Sequence, residues 1–106
     1  MKKTIYIAGK VTGVTEAECL TKFCTQEKAL KELGYNTVNP ILLVGNSNMP
    51  WQDAMKICIR FLMTADAVFA LPCVETSKGA QLELKLCGEV GIPVFACVKT
   101  LKKAMK

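Results

Sequence analysis

Apolar residues in this chain fall into short continuous runs, separated by longer stretches in which they recur at helical spacing. Thr4 to Ala8 is a β-rich run closed by Gly9. It lacks the alternation of a half-buried strand, so it reads as a strand covered on both faces. Thr15, with Glu18 three residues on, makes a capping box that starts a helix. Leu20, Phe23, Leu30 and Leu33 supply the apolar face of that helix, and Gly34 ends it. Asn36 to Asn39 reads as a second strand closed by Pro40, and Ile41 to Met49 as a loop. Pro50 suits the first turn of the next helix. There Trp51, Ala54, Met55, Cys58 and Leu62 form one buried stripe. Ala67 to Leu71 is a third strand and Pro72 to Thr76 a loop. Ser77 caps a helix that runs to Val90 and stops at Gly91. Pro93 to Val98 reads as a fourth strand, followed by a short basic helix.

Strands that alternate with helices imply a parallel sheet covered on both faces. The pattern predicts one α/β domain over residues 1–106. It is doubly wound, of the flavodoxin-like or Rossmann-like kind, with four to five strands in the order 2-1-3-4(-5). Ligands in such sheets bind beyond the carboxyl ends of the strands, where the strand order reverses. That edge collects the loops after Ala8, Asn39, Leu71 and Val98.

Composition narrows the function classes. Of 106 residues, 51% are hydrophobic and 22% charged, the balance of a globular domain. The net charge of +5 comes largely from Lys99, Lys102, Lys103 and Lys106 at the end. No aromatic residues interleave with these lysines, so they read as a solvated face and not as a nucleic-acid patch. The apolar stretch after Met1-Lys2-Lys3 is too short for a secretory signal, and no run is long enough to span a membrane. A cytoplasmic protein is expected. The six cysteines are scattered without a C-x-x-C pair, which predicts reduced, buried thiols. With no histidine and no close cysteine pair, no metal site is expected.

Two loops at the ligand edge carry candidate chemistry. After the first strand, Gly9-Lys10-Val11-Thr12-Gly13-Val14-Thr15 offers glycines, hydroxyls and a lysine before a helix N-terminus. Such a loop can hold a phosphate or sugar, or simply be a tight turn. After the third strand comes Ser77-Lys78-Gly79-Ala80-Gln81-Leu82-Glu83. Ser77 caps the helix there, and Glu83 lies about one and a half turns in. Gly79, four residues before Glu83, shares its face and leaves the carboxylate uncovered. Leu82, Leu84 and Leu86 make a dry setting. A carboxylate so placed can act at a glycosidic carbon, or it can be a solvated helix Glu.

Together these segments resemble the nucleoside 2-deoxyribosyltransferase superfamily, and most of all a small bacterial and phage branch of it. The likeness covers nearly the whole chain. It rests on Ile5-Tyr6-Ile7-Ala8-Gly9 with Thr12-Gly13, on Asn39-Pro40, on Trp51, and on Ala65-Asp66-Ala67-Val68. Ser77-x-Gly79-Ala80-x-x-Glu83 and Gly91-Ile92-Pro93-Val94 complete it. The resemblance implies that Glu83 is the nucleophile on the anomeric carbon of a nucleoside or nucleotide. Tyr6, Gly9, Lys10, Thr12, Gly13, Ser77 and Gly79 would then bind substrate. Ser77 stands where the related 2′-deoxynucleoside 5′-monophosphate N-hydrolases carry Ser and nucleoside-specific transferases carry Asp. The resemblance further implies a homo-oligomer, a dimer or larger, with no cofactor and no nucleic-acid or membrane partner. Two positions depart from it. Cys58 replaces an acidic residue, and Lys10 stands where the branch has Pro.

Two other readings stay open. A non-catalytic nucleotide-binding or regulatory domain is supported by Cys58. A flavodoxin-like FMN carrier is suggested by Thr12-Gly13-x-Thr15-Glu16, although the later loops lack flanking aromatics apart from Trp51.

Overall fold

Strand β1 (Thr4–Ala8) is the centre of the sheet. The computed structural model describes residues 2–11, 13–45 and 48–105. Ile5, Tyr6, Ile7 and Ala8 have no exposed surface, as expected of a strand covered on both sides. Helix α1 (Glu16–Glu32) follows, and the Thr15 hydroxyl accepts the Glu18 amide at 3.2 Å. Strand β2 (Asn36–Val38) pairs parallel with β1. Then come the short helix α2 (Pro40–Val44), helix α3 (Trp51–Leu62) and strand β3 (Ala67–Ala70). A 3-10 turn over Pro72–Thr76 leads into helix α4 (Lys78–Val90). Strand β4 (Val94–Phe95) and helix α5 (Val98–Ala104) close the chain.

All strand pairs are parallel and the order is β2-β1-β3-β4, the doubly wound α/β arrangement that the pattern predicts. Residues alternate between its faces. Ile5, Ile7, Ala67, Phe69 and Leu71 pack with Phe23 and Leu30 of α1 and Leu101 of α5. Tyr6, Ala8, Val68 and Ala70 pack on the other face with Cys58 and Leu62 of α3 and Ala80 and Cys87 of α4. At the amino edge Asp66 ties two strands together. Its carboxylate accepts the Thr4 amide at 2.8 Å, and its own amide donates to the Thr4 carbonyl at 2.9 Å. No helix among the described residues is long and apolar enough to cross a membrane.

Several expectations are corrected. Residues 41–44 are helical, where a loop is expected. The Asn39 side chain accepts the Ile41 amide at 3.0 Å, Pro40 fills the first turn, and Gly45 closes α2 at φ 61°. Asn39 is therefore a helix cap and not the last residue of a strand. The fourth strand is Val94–Phe95 and not Pro93 to Val98: it pairs with β3 only through Val68 with Val94 and Phe69 with Phe95, and Val98 already belongs to α5. Leu20 and Leu33 are exposed. The buried stripe of α1 runs through Cys19, Phe23 and Leu30, and Leu20 lies one residue, about 100°, off it. All six cysteines are free, but only Cys19, Cys58 and Cys87 are buried. Cys24 and Cys73 are half-buried and Cys97 is exposed.

Candidate active site

Helix α4 begins where its sequence says it should. The Ser77 hydroxyl accepts the Ala80 amide at 3.1 Å, and Gly91 ends the helix in the left-handed region at φ 79°. Its buried residues are Ala80, Glu83 and Cys87, at the i, i+3 and i+7 positions of a single inward stripe. A carboxylate thus occupies a place that the periodicity reserves for an apolar side chain.

Glu83 is only 6% exposed and forms no ion pair among the described residues. Its partner is Tyr6, whose hydroxyl donates to the carboxylate from the middle of β1. Burial pushes the Glu83 carboxyl up to about 7, and the Tyr6 hydrogen bond restrains the rise. Burial also drives the Tyr6 phenol well above its ordinary value, with the Glu83 charge adding to it. The Cys58 thiol, third at this spot, is pushed up to about 11, again chiefly by burial. The dry setting comes from Tyr6, Cys58, Ala80 and Cys87. Leu82, expected to contribute, is instead 38% exposed, because it sits beside the inward stripe.

Gly79 lies one turn before Glu83, but the space beside it is filled and not open. A Cβ there would meet the Met55 sulfur at 3.1 Å and Trp51 Nε1 at 3.5 Å. The Lys78 ammonium stands 4.4 Å over the Trp51 ring. Trp51 and Met55 of α3 therefore cover Gly79, and Lys78 stands over the Trp51 ring.

The other expected site residues scatter around this edge. Gly9 packs on the opposite face of the sheet, where a Cβ would meet Leu71 Cδ1 at 2.8 Å and Phe23 Cζ at 2.9 Å. Lys10 is half-buried, and its amide donates to the Cys73 sulfur at 3.2 Å. Gly13 is exposed at φ 81°, and a Cβ there would meet no described atom beyond its chain neighbours within 4 Å. Thr12 lies outside the described residues. Tyr6 and Glu83 are brought into contact, and Ser77 and Gly79 lie in the part of α4 that precedes Glu83, whereas the described contacts of Gly9 and Lys10 are with Leu71, Phe23, Cys73 and Lys22. Two surface hollows lie elsewhere. One follows α1 between Cys24 and Glu32, and the other lies at the amino edge near Lys2, Lys3 and Lys102. Among the described residues no group of His, Cys, Asp and Glu is arranged to hold a metal ion.

The family described as a domain of unknown function, DUF4406, matches residues 3–96. This chain belongs to the DUF4406 family. The match takes in β1, both candidate loops and all of α4, so Tyr6, Ser77, Gly79 and Glu83 are part of the DUF4406 domain. No curated protein and no solved structure gave a match.

Sequence reasoning singled out Cys58 only as a departure from the resemblance, without its contact with Tyr6 and Glu83, and did not identify Met55 and Trp51 as the residues that cover Gly79. The stripe of α3 and the 80-83-87 spacing of α4 were the signals available. Two inward stripes on successive helices of one face must meet.

Proposed function

We propose that this protein cleaves or transfers at the N-glycosidic bond of a nucleotide-like substrate, with Glu83 as nucleophile. The observation that carries the reading is the buried Glu83 carboxylate, held by Tyr6 and by no cation among the described residues. An unpaired buried carboxylate costs stability, and such groups concentrate at functional sites. The resemblance of Ser77-x-Gly79-Ala80-x-x-Glu83 to the deoxyribosyltransferase nucleophile segment supplies the reaction class.

In this mechanism the ionised Glu83 attacks the anomeric carbon. The C–O bond to the carboxylate forms as the C–N bond breaks, and the base leaves with the bonding pair and is protonated by solvent water. Water then releases the sugar, or a second base accepts it. Tyr6 holds the carboxylate through its hydroxyl. A substrate reaches Glu83 past Trp51 and Met55, which pack over Gly79, and past Lys78, which stands over the Trp51 ring. Ser77 and the first amides of α4 receive a 5′-phosphate. The same reading carries a homo-oligomer, which light scattering on the full chain checks, and a cytoplasmic location.

The test is a panel of nucleosides and nucleoside monophosphates assayed for free base by chromatography. Base release that Glu83→Gln abolishes supports the reading. A panel with no release, or release that Glu83→Gln leaves intact, overturns it and favours a binding or regulatory domain.

A further inference from the structure

On the face of the sheet opposite Glu83, two thiols and an ammonium, from α1 and from the turn after β3, meet the backbone N–H and carbonyl of one residue, Lys10. Cys73 sits in the 3-10 turn after β3. Its sulfur accepts the Lys10 amide at 3.2 Å and the Lys22 ammonium at 3.1 Å. Lys22, from α1, also donates to the Lys10 carbonyl at 3.4 Å. Cys19, one turn earlier on α1, donates towards that same carbonyl at 3.9 Å and towards the Val11 carbonyl at 3.8 Å.

The two thiols are treated in opposite ways. Cys19 is buried and faces acceptors, which suits a neutral S–H, and its thiol is raised above the ordinary value, first by burial. Cys73 is half-buried and receives two N–H donors, one of them charged. A neutral thiol has little use for two donors, whereas a thiolate is stabilised by both. Burial opposes the charge on Cys73, but the Lys10 amide and then Lys22 outweigh it and lower the thiol.

We propose that Cys73 is a modification site, a thiolate held by Lys22 and the Lys10 amide that hydroperoxides oxidise to the sulfenic acid. The sulfur attacks the near oxygen of hydrogen peroxide, so an S–O bond forms as the O–O bond breaks. Sulfur loses two electrons and the peroxide gains them. The leaving hydroxide takes a proton from the Lys22 ammonium, which recovers one from solvent. This chemistry is independent of Glu83 and stands whether or not that residue is catalytic.

Cys97 is an internal control, because it is the more exposed thiol of the same chain. The full chain is treated with hydrogen peroxide and dimedone at pH 7, and sulfenic acid is counted at each cysteine by peptide mass spectrometry. Cys73 is expected to be trapped at least about tenfold faster than Cys97, against the order of exposure. Lys22→Met should bring Cys73 down to the rate of Cys97, and Lys22→Arg should keep most of the advantage. Iodoacetamide alkylation against pH gives a second reading on the unaltered protein, with the Cys73 midpoint expected below the ordinary thiol value. Equal trapping of the two thiols, a Cys73 midpoint at or above the ordinary thiol value, or a Cys73 rate untouched by Lys22→Met in a folded variant would each overturn the proposal.

Discussion

The Tyr6 hydroxyl donates its hydrogen bond to the Glu83 carboxylate, joining the central strand to α4 across 77 residues of sequence. Burial drives the carboxyl up while Tyr6 holds it down, and the balance falls at about 7. One ionisation therefore sits where neutral solution can move it in either direction.

Removing the donor alone shows what Tyr6 contributes. Tyr6→Phe keeps the ring within the core and leaves the ionised Glu83 without its hydroxyl partner. A buried group deprived of its partner costs about 1–3 kcal/mol. The loss should be larger at pH 8, where Glu83 is ionised, than at pH 5, where it holds its proton. Urea unfolding of the variant at both pH values checks this. An equal loss at the two would mean that the hydroxyl serves only packing.

Gly9 tests the other face. It is not in a left-handed conformation, so the demand for glycine there comes from space. A methyl would press on Phe23 and Leu71, both buried. Phe23 is fully enclosed and its ring has no room to retreat. Gly9→Ala should destabilise by about 1–3 kcal/mol, as overpacked cores do. A denaturant midpoint unchanged from that of the unaltered chain would show that the loop moves aside freely.

The elements that proved readable are those with local signals. Thr15, Gly34, Ser77 and Gly91 mark helix ends through caps that a few residues determine, and the parallel strand order follows from alternation of strand and helix. The start of α2 was also marked, by Asn39 and Pro40, but its five residues leave too little periodicity to weigh against a loop-like neighbourhood. The contacts of the site are different in kind. Tyr6 meets Glu83, and Lys22 meets Cys73 across 51 residues, only because the sheet brings their elements together. Spacing within α4 could suggest that Glu83 faces inward, but not what it would face. The covering of Gly79 by Met55 and Trp51 likewise belongs to the packing of α3 on α4.

The charge of the substrate is a separate question from the chemistry at Glu83. Ser77 caps α4 and brings no negative charge to its N-terminus, where an anion is favoured. Lys78 stands on the next residue, over the Trp51 ring. Charge-assisted hydrogen bonds are worth roughly 1.5–3 kcal/mol each, so a nucleoside monophosphate should bind at least about tenfold tighter than its nucleoside. Ser77→Asp should remove that preference. Calorimetry finding equal affinities for the two ligands in the unaltered protein would defeat this expectation.

Glu83 should set stability and activity on opposite slopes of pH. Its folded value near 7 lies above the ordinary 4.5, so the folded protein holds this proton to higher pH than the unfolded chain does. Between those values a rise in pH strips the unfolded chain first and favours unfolding. The contribution is fully present below about pH 4.5, is lost towards pH 7, and amounts to roughly 3 kcal/mol. The chain has no histidine, so no imidazole adds to the slope in this window. Activity runs the other way, because only the ionised carboxylate is a nucleophile, and base release should rise with pH and level off above about 7. Glu83→Gln separates the two effects. It should flatten the stability slope between pH 5 and 7, read by thermal melting at closely spaced pH values. It should also lower base release by about two orders of magnitude or more. A variant that kept the slope would locate the titration in another group. A variant that lost the slope but kept its activity would leave Glu83 as a buried structural acid and nothing more.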